Sequence, residues 1–235
     1  MKSLVINCLC AAVIISFGSC DREGGISERP DDIVATGERL ALFQEIMADF
    51  PESKNVKTAK PELFEAGTRK EIVLKSESDV YVTFISEGAS LSNTFGWYSY
   101  TAGTKPTNAS DIKMNILFPH VSQRVLRQGD RLRLGESKFP AGTVIGFFLI
   151  IDGWDRGQIH YDRQTFFTNS ELNPNGEQQH VLYKHKELGD IVLSFEDVLT
   201  STSSDKDYND IIFTVTDNTT EAEVTNFDIT GVKEY

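Results

Sequence analysis

The acidic segment near the C-terminal end of the chain carries the residue types and spacing best suited to chemistry. Residues 194–215 read SFEDVLTSTSSDKDYNDIIFTV, and their acidic side chains would repel one another if left alone, since Lys206 offsets one charge at most. Calcium relieves such repulsion because it takes about six to eight oxygen ligands from carboxylates, amides and carbonyls. We therefore predict a calcium cofactor in this segment. The predicted ligands are Glu196, Asp197, Asp205, Asp207, Asn209 and Asp210.

The spacing of these residues separates the predicted site from the EF-hand calcium loop. Asp205, Asp207 and Asn209 alternate along the chain, so their oxygens can converge where the backbone curls. An EF-hand loop begins in the same way, but it needs glycine at its sixth position and glutamate at its twelfth, where this chain has Asp210 and Thr216. The flanking segments also have the pattern of strands rather than helices. The residues thus favour calcium without an EF-hand.

A purely structural role for the same residues is the alternative. Asp and Asn side chains often accept hydrogen bonds from nearby backbone N–H groups in Asx-turns, which would shape a hairpin without a metal. Residue types alone leave both interpretations open.

An aromatic run in the segment FGWYSY offers a second kind of binding chemistry. Strand alternation places Trp97 on one face, beside Phe95, and Tyr98 on the other. One face belongs to the core, and the other could be a platform that stacks a sugar ring or a partner side chain. Trp154, in the turn IDGWD, is the aromatic residue that we most expect to be exposed. Trp97, Tyr98 and Trp154 are the candidate ligand-binding residues of the alternative function, a carbohydrate-binding or adhesin module.

Recognisable catalytic motifs are missing from the sequence. The four histidines form no H-E-x-x-H, and neither a G-x-S-x-G nucleophile turn nor a glycine-rich phosphate loop occurs. Glu87, Glu196 and Asp197 would suit glycan hydrolysis only in the loosest sense, because an acidic chain offers carboxylate pairs by chance. We therefore predict a non-enzymatic protein, with a glycan hydrolase as the less favoured hypothesis. His180 and His185 are expected at the surface or across a strand pair rather than as zinc ligands.

The first twenty residues, MKSLVINCLCAAVIISFGSC, have the pattern of an export signal with an anchor. Lys2 precedes an apolar stretch from Leu4 to Phe17, which is too short to span a membrane, and small residues then lead to Cys20. Residues 1–19 resemble a bacterial lipoprotein signal peptide, after which Cys20 becomes the lipid-bearing first residue. The implied location is the bacterial cell envelope, on the periplasmic side or the cell surface, with the membrane as a partner through the lipid anchor.

Composition limits the remaining function classes. The chain has 235 residues, of which 40% are hydrophobic and 25% charged, and this apolar content is enough for a buried core. The formal net charge of −12 opposes the phosphate backbone of nucleic acid, so no nucleic-acid partner is expected. A mean hydropathy of −0.26, with one apolar run at the N-terminus, excludes a polytopic membrane protein. The partners that remain are a glycan or an envelope protein.

The first element that the sequence predicts is a helix, because apolar residues repeat there at helical spacing. Leu40, Phe43, Met47 and Phe50 recur at helical spacing, and Pro51 follows. This stripe predicts one short N-terminal helix that packs on the domain.

After about residue 70 the apolar residues alternate instead, as in strands. Segments 79–85, 191–195 and 211–216 fit half-buried strands, whereas 144–151 is nearly all apolar, as in a central strand covered on both faces. Many short strands with little helix between them predict an all-β antiparallel β-sandwich or jelly roll. Further candidate strands cover residues 71–74, 94–101, 113–118, 131–134 and 180–184. The predicted order is a signal peptide at 1–19, a tether at 20–31, a helical segment and linker at 32–69, the β-sandwich domain at 70–218, and a tail or final strand at 219–235.

Motifs over about residues 80–217 resemble the bacterial domain of unknown function 4114, which LruC-type envelope lipoproteins also carry. The motifs, in order, are VTFISEGA, FGWYSY, ILFPHVS, GDRLRLG, AGTVIGFFLIIDGW, LNPNG and FED…DKDYNDIIF. The resemblance implies an exported, all-β module without an evident catalytic role. Its acidic hallmark is suspected of binding calcium, which favours the metal interpretation. The resulting hypothesis is a lipid-anchored, calcium-stabilised β-sandwich that binds or scaffolds at the envelope.

Overall fold

Two β-sheets pack face to face, and a thin helical layer covers the outside of one of them. The structure is a computed structural model that describes residues 25–36, 40–217 and 225–235; the predicted signal peptide and Cys20 lie outside the described residues. The helices are α1 (Leu40–Asp49) and α2 (Val56–Ala59), with 3-10 turns at residues 61–64, 109–111, 170–172 and 174–176. The strands are β1 (Val34–Ala35), β2 (Ile72–Val73), β3 (Tyr81–Glu87), β4 (Asn93–Thr101), β5 (Asn115–Val121), β6 (Asp130–Arg133), β7 (Thr143–Ile150), β8 (Trp154–Asp155), β9 (Gln158–Ile159), β10 (Thr165–Phe167), β11 (His180–Lys184), β12 (Ile191–Phe195), β13 (Ile211–Thr216) and β14 (Lys233–Glu234).

The predicted mainly β fold class, with antiparallel sheets packed together, is confirmed. The first sheet has seven strands in the order β1-β6-β3-β13-β12-β11-β14. The second sheet has the order β10-β7-β4-β5, with β2 also paired to β7, and β8 and β9 form a separate hairpin. One pair departs from the antiparallel pattern, because β14 runs parallel to β11.

Phenylalanine rings join the two sheets across the core. Phe95 of β4 stacks on Phe213 of β13 with ring centroids 4.1 Å apart, so central strands of opposite sheets meet directly. Phe118 and Phe147 extend the same stack within the second sheet. Such aromatic pairs contribute about 0.5–1.5 kcal/mol each beyond the burial of their area.

The outer face of the seven-stranded sheet is also buried, which corrects the prediction of half-buried strands for β3, β12 and β13. Ile85, Val192 and Ile212 belong to these strands and form a second apolar cluster on that face. Phe43 and Ile46 of α1 belong to the same cluster. The predicted helical stripe is therefore real, and it converts a face that would have met water into a second core.

The helical layer has one element more than the sequence predicted. α1 ends at Asp49, just before the predicted stop at Pro51. The additional one-turn helix α2 begins after Asn55, whose side-chain oxygen accepts a hydrogen bond from the Thr58 N–H at 3.0 Å. Within the part of the chain that the structure describes, no helix combines the length and apolar composition needed to cross a membrane.

The central strand β7 is buried along its whole length, as its apolar sequence predicted. It pairs with β4 over eight residues, from Thr143 to Ile150. Gly146 faces the ring of Tyr98, and a Cβ at this position would lie 2.1 Å from Tyr98 Cζ. The Tyr98 ring can pack closely against β7 because Gly146 has no side chain.

Gly146→Ala is expected to lower the free energy of unfolding by about 1–3 kcal/mol, because the new methyl group overlaps the Tyr98 ring. Urea denaturation of the purified protein measures this loss. In the double variant with Tyr98→Leu, the two losses should be less than additive, since the smaller side chain vacates the space. Fully additive losses would contradict the assigned contact.

Candidate metal centre

The acidic loop, residues 196–210, connects β12 to β13 and is held by the turn between the two helices. That turn, residues 50–55, is called the α1–α2 turn below. The Ser53 N–H donates to Asp207 Oδ2 at 2.8 Å, and the Val56 N–H donates to the Lys206 carbonyl oxygen at 2.8 Å. The N-terminal helical segment thus fixes the position of a loop near the other end of the chain.

Three carboxylates converge where the loop and the turn meet. Glu52, Asp205 and Asp207 each place one oxygen within 4.8 Å of the other two, and we call this group the acidic triad. Glu52 and Asp205 are exposed, whereas Asp207 is buried. The Asn209 side chain lies among them, because its Nδ2 is 2.9 Å from Asp207 Oδ2, 3.1 Å from Glu52 Oε2 and 3.4 Å from the Phe50 carbonyl oxygen. Several oxygens therefore surround one small volume.

The backbone of the acidic loop takes an unusual path at alternate residues. Lys206 and Tyr208 have φ values of 64° and 55°, in the left-handed region that side chains other than glycine adopt at a cost of about 1–3 kcal/mol. Contacts of Tyr208 hold this path. Its N–H donates to Glu196 Oε2, its hydroxyl donates to the Gln178 carbonyl oxygen at 3.0 Å, and its ring packs 5.3 Å from that of Phe64. Tertiary packing therefore imposes the conformation that brings the triad together.

The structure brings together Asp205, Asp207 and Asn209 of the predicted ligands but leaves Glu196, Asp197 and Asp210 in other contacts. The calcium site made from all six residues therefore stays a prediction.

Those other contacts satisfy the three carboxylates locally. Glu196 accepts hydrogen bonds from the Ser204 hydroxyl and the Tyr208 N–H. Asp197 accepts one from Asn93 Nδ2 at 2.8 Å, and the Asp197 N–H donates to Asp210 Oδ2 at 2.7 Å. These groups stabilise the ends of the strands that flank the loop.

Burial and repulsion between negative charges make the ionised forms of the Asp207 and Asp210 carboxyls costly. Burial raises the pKa of the Asp207 carboxyl, and the negative charges of Asp205 and Glu52 raise it further. Burial, followed by the charge of Asp197, raises the pKa of the Asp210 carboxyl to about 8. The cluster thus favours binding of a positive charge, either a proton or a cation.

The Asx-turn interpretation is also realised at one position. Asp207 Oδ1 accepts a hydrogen bond from the Asn209 N–H at 3.2 Å, two residues further along the chain. Asp207 therefore shapes the turn with one carboxylate oxygen while its other oxygen faces Ser53 and the Asn209 amide.

Sequence reasoning missed Glu52 and the Phe50 carbonyl. Glu52 lies 157 residues from Asn209 in the chain, and no local pattern connects them. The one available signal was the helix stop at Pro51, which marks a turn but does not say what the turn contacts.

The three candidate ligand-binding aromatics are buried, so the expected exposed platform is wrong for them. Tyr98, Trp154 and Trp97 are 1%, 8% and 9% exposed. The Tyr98 hydroxyl donates to Glu71 Oε1 at 2.8 Å, and Trp154 stacks on His120 with ring centroids 6.0 Å apart. Loop residues cover the outer face of the second sheet at Tyr98, which alternation along a single strand could not reveal.

His180 and His185, expected at the surface or across a strand pair, are both buried, and His180 lies opposite Phe195 in the β11–β12 pair. His180 is fully buried with Nε2 3.1 Å from the Lys70 carbonyl oxygen, and burial lowers its pKa to about 3. His185 Nδ1 accepts a hydrogen bond from the Leu188 N–H at 3.2 Å. Both rings therefore serve packing and backbone bonding.

Comparison with known proteins agrees with part of the sequence resemblance. Residues 139–218 match the family model described as Domain of unknown function (DUF4114), which covers β7 through β13 and the whole acidic loop. The motifs quoted for residues before 139 lie outside this match. No curated protein and no solved structure matches the chain. The protein is thus a β-rich chain whose residues 139–218 are similar to the domain of unknown function DUF4114.

The raised pKa of Asp210 predicts a pH dependence of stability in metal-free protein. The folded state binds more protons than the unfolded state between about pH 4 and pH 8, because an unfolded Asp has a pKa of about 3.9. The free energy of unfolding should therefore fall as pH rises through this window, by at most about 1.4 kcal/mol per pH unit. Urea denaturation at a series of pH values, with a chelator present, measures the slope.

Asp210→Asn keeps an oxygen for the Asp197 N–H but cannot ionise, so it should remove this part of the slope. Asp162→Asn, at an exposed position between β9 and β10, is the matched control and should keep the slope. An Asp210→Asn variant with the wild-type slope would show that the pair holds no proton in this range.

Proposed function

We propose that this protein is a non-enzymatic, lipid-anchored cell-envelope protein whose calcium-stabilised β-sandwich acts as a binding or scaffold module. The observation that carries the calcium part is the meeting of Glu52, Asp205 and Asp207 within 4.8 Å across a tertiary contact. Calcium would connect the α1–α2 turn to the acidic loop and so hold the helical layer against the sheet.

The donor set fits a hard cation. All three members of the acidic triad are carboxylates, and the Phe50 carbonyl and the Asn209 amide lie beside them. The Asn209 Nδ2 donates to Glu52 and Asp207, so Asn209 would supply an oxygen ligand for calcium after its side-chain amide turns over. The triad contains no histidine or cysteine, the ligands that softer metals prefer.

The anchorage part of the proposal depends on the N-terminal sequence. The apolar stretch, the small residues and Cys20 fit a lipoprotein signal, and the motif resemblance to LruC-type envelope lipoproteins is consistent with that location. A glycan or an envelope protein remains the proposed partner class.

A binding or scaffold role also agrees with where the acidic groups lie. Glu87, which with Glu196 and Asp197 was a candidate for glycan chemistry, accepts a hydrogen bond from the Gln123 N–H at 3.1 Å. Glu196 and Asp197 are likewise held by neighbouring donors. Each carboxyl is engaged in shaping loops, which favours a structural module over a hydrolase.

Calcium is expected to raise the melting temperature of chelator-stripped protein. A metal that binds the folded state alone stabilises by about 2.7 kcal/mol at a hundredfold excess over its dissociation constant. Glu52→Gln and Asp207→Asn should each reduce the calcium-induced shift, because each removes a carboxylate from the triad. Differential scanning calorimetry with and without calcium measures the shift.

Glu45→Gln, an exposed change within α1, is the matched control and should keep the full shift. No calcium response in the wild-type protein would contradict the metal proposal. A wild-type response that persists in Glu52→Gln would instead contradict the part played by the α1–α2 turn.

A further inference from the structure

The N-terminal end of the described chain lies against the β8–β9 hairpin. The Ile26 N–H donates to the Gly157 carbonyl oxygen at 2.9 Å. The backbones of Gly25 and Gly157 are also close, since a Cβ at Gly25 would lie 3.5 Å from Gly157 Cα. The chain thus meets the sandwich at the tip of this hairpin.

The residues that follow bind this segment to the sandwich. The Arg29 guanidinium pairs with both carboxylate oxygens of Asp130 and donates to the Val125 carbonyl oxygen at 2.8 Å. Asp130 is 1% exposed, so separating the pair would leave a buried charge without its partner. Val34 and Ala35 then pair with β6. These contacts fix where the N-terminal segment leaves the domain.

Few residues separate this point from the proposed lipid. Five peptide steps connect Cys20 to Gly25, and each spans at most about 3.6 Å. Five such steps reach at most about 18 Å, so a lipid on Cys20 would be tethered close to the hairpin tip.

The opposite end of the sandwich lies further from the hairpin tip than this tether length. β7 runs from the β6–β7 loop, residues 134–142, towards the hairpin. Its eight residues rise about 3.3 Å each, so its ends are about 23 Å apart. The loops at that end are called the far end below.

The surface at the hairpin suits a lipid headgroup region. The tip residues Arg156 and Gly157 both have positive φ, as in a two-residue hairpin turn, and the Arg156 side chain is 93% exposed. Tyr161, which follows the hairpin closely in the chain, is 55% exposed. Ile26, whose N–H donates to the Gly157 carbonyl oxygen, is 47% exposed. Exposed tyrosine and arginine with an apolar neighbour are typical of membrane–water interfaces.

Two ion pairs lie at this surface, and Asp162 and the acidic loop add further negative charge at the same end. Arg163 Nη1 lies 2.5 Å from Asp152 Oδ2, and Arg156 Nε lies 3.6 Å from Asp155 Oδ1. Apposition to a bilayer here would therefore depend on the anchor and not on anionic lipid.

We infer that the hairpin end of the sandwich faces the headgroups of the bilayer that holds the Cys20 lipid, and that the far end points away. This inference rests on the lipid anchorage proposed above. The acidic loop belongs to the hairpin end, because Asn93 bonds both Asp197 and the Asp152 N–H, at 2.8 and 2.9 Å.

The test measures how close each end lies to a membrane. Lipidated full-length protein is reconstituted in phosphatidylcholine vesicles that carry an energy-transfer acceptor lipid. Each variant carries one introduced cysteine for a donor dye, at an exposed position. Arg156→Cys and Asp162→Cys label the hairpin end. Ser137→Cys and Glu187→Cys label the far end. Labelling is selective because the natural cysteines all lie at or before Cys20, whose thiol carries the lipid.

The donor-to-bilayer distance should be shorter for the two hairpin positions than for the two far-end positions, by up to about 20 Å if β7 stands perpendicular to the bilayer. Equal distances, or shorter distances for the far end, would overturn the inference. An insertion of about 20 Gly and Ser residues after Gly24 should shrink the difference, because a long flexible tether no longer restricts orientation. A difference that survives this insertion would overturn the argument from tether length.

Mass spectrometry of the purified protein separates the two levels of the proposal. A lipid on Cys20 with equal distances would defeat the orientation alone. No lipid on Cys20 would contradict the proposed anchorage and the orientation with it.

Discussion

Burial of the outer face of the seven-stranded sheet is the constraint on which the rest of the structure depends. Ile85, Val192 and Ile212 lie on that face, and Phe43 and Ile46 of α1 cover them. Each such side chain contributes about 1.5–3 kcal/mol when it leaves water, so the helical layer is a substantial part of the domain's stability. The same docking places the α1–α2 turn over the acidic loop. The candidate metal centre is therefore a consequence of a hydrophobic contact made elsewhere.

The acidic residues illustrate two ways in which a fold accommodates crowded negative charge. Asp197 and Asp210 are drawn towards protonation, because burial and proximity make two ionised groups costly. The acidic triad lies nearer to solvent, with Glu52 and Asp205 exposed, and is accessible to a cation. One stretch of sequence thus supplies both a buried carboxyl pair and an accessible oxygen cluster. Their different burial, and not their composition, separates the two roles.

One end of the sandwich gathers several features that the chain keeps far apart. The N-terminal segment, the β8–β9 hairpin and the acidic loop meet there because β7 and β12 both end at that side. Asn93 joins two of these loops through its side-chain amide. The far end carries the β4–β5 connection, residues 102–114, the β6–β7 loop, residues 134–142, and the β11–β12 turn, residues 185–190. The two ends of the sandwich therefore differ in structure.

Local pattern was sufficient for the parts of the fold that depend on neighbours in the chain. The spacing of Phe43, Met47 and Phe50 defined α1, and the unbroken apolar run ending at Ile151 defined a strand buried on both faces. The alternating acids likewise identified the loop that carries Asp205 and Asp207. These features follow from hydrophobic period and residue type, which act over a few residues.

Only the tertiary structure decided what covers each face and which acids meet. Glu52 joins the triad from 157 residues away from Asn209, through a helix that docks because the outer face of a sheet is apolar. Tyr98 is buried by loop residues and Trp154 stacks on His120 of β5, and no strand pattern encodes these contacts. Residue type and period fix what each segment can do locally, while packing of distant segments selects which of those possibilities is realised, because burial is a property of the assembled chain.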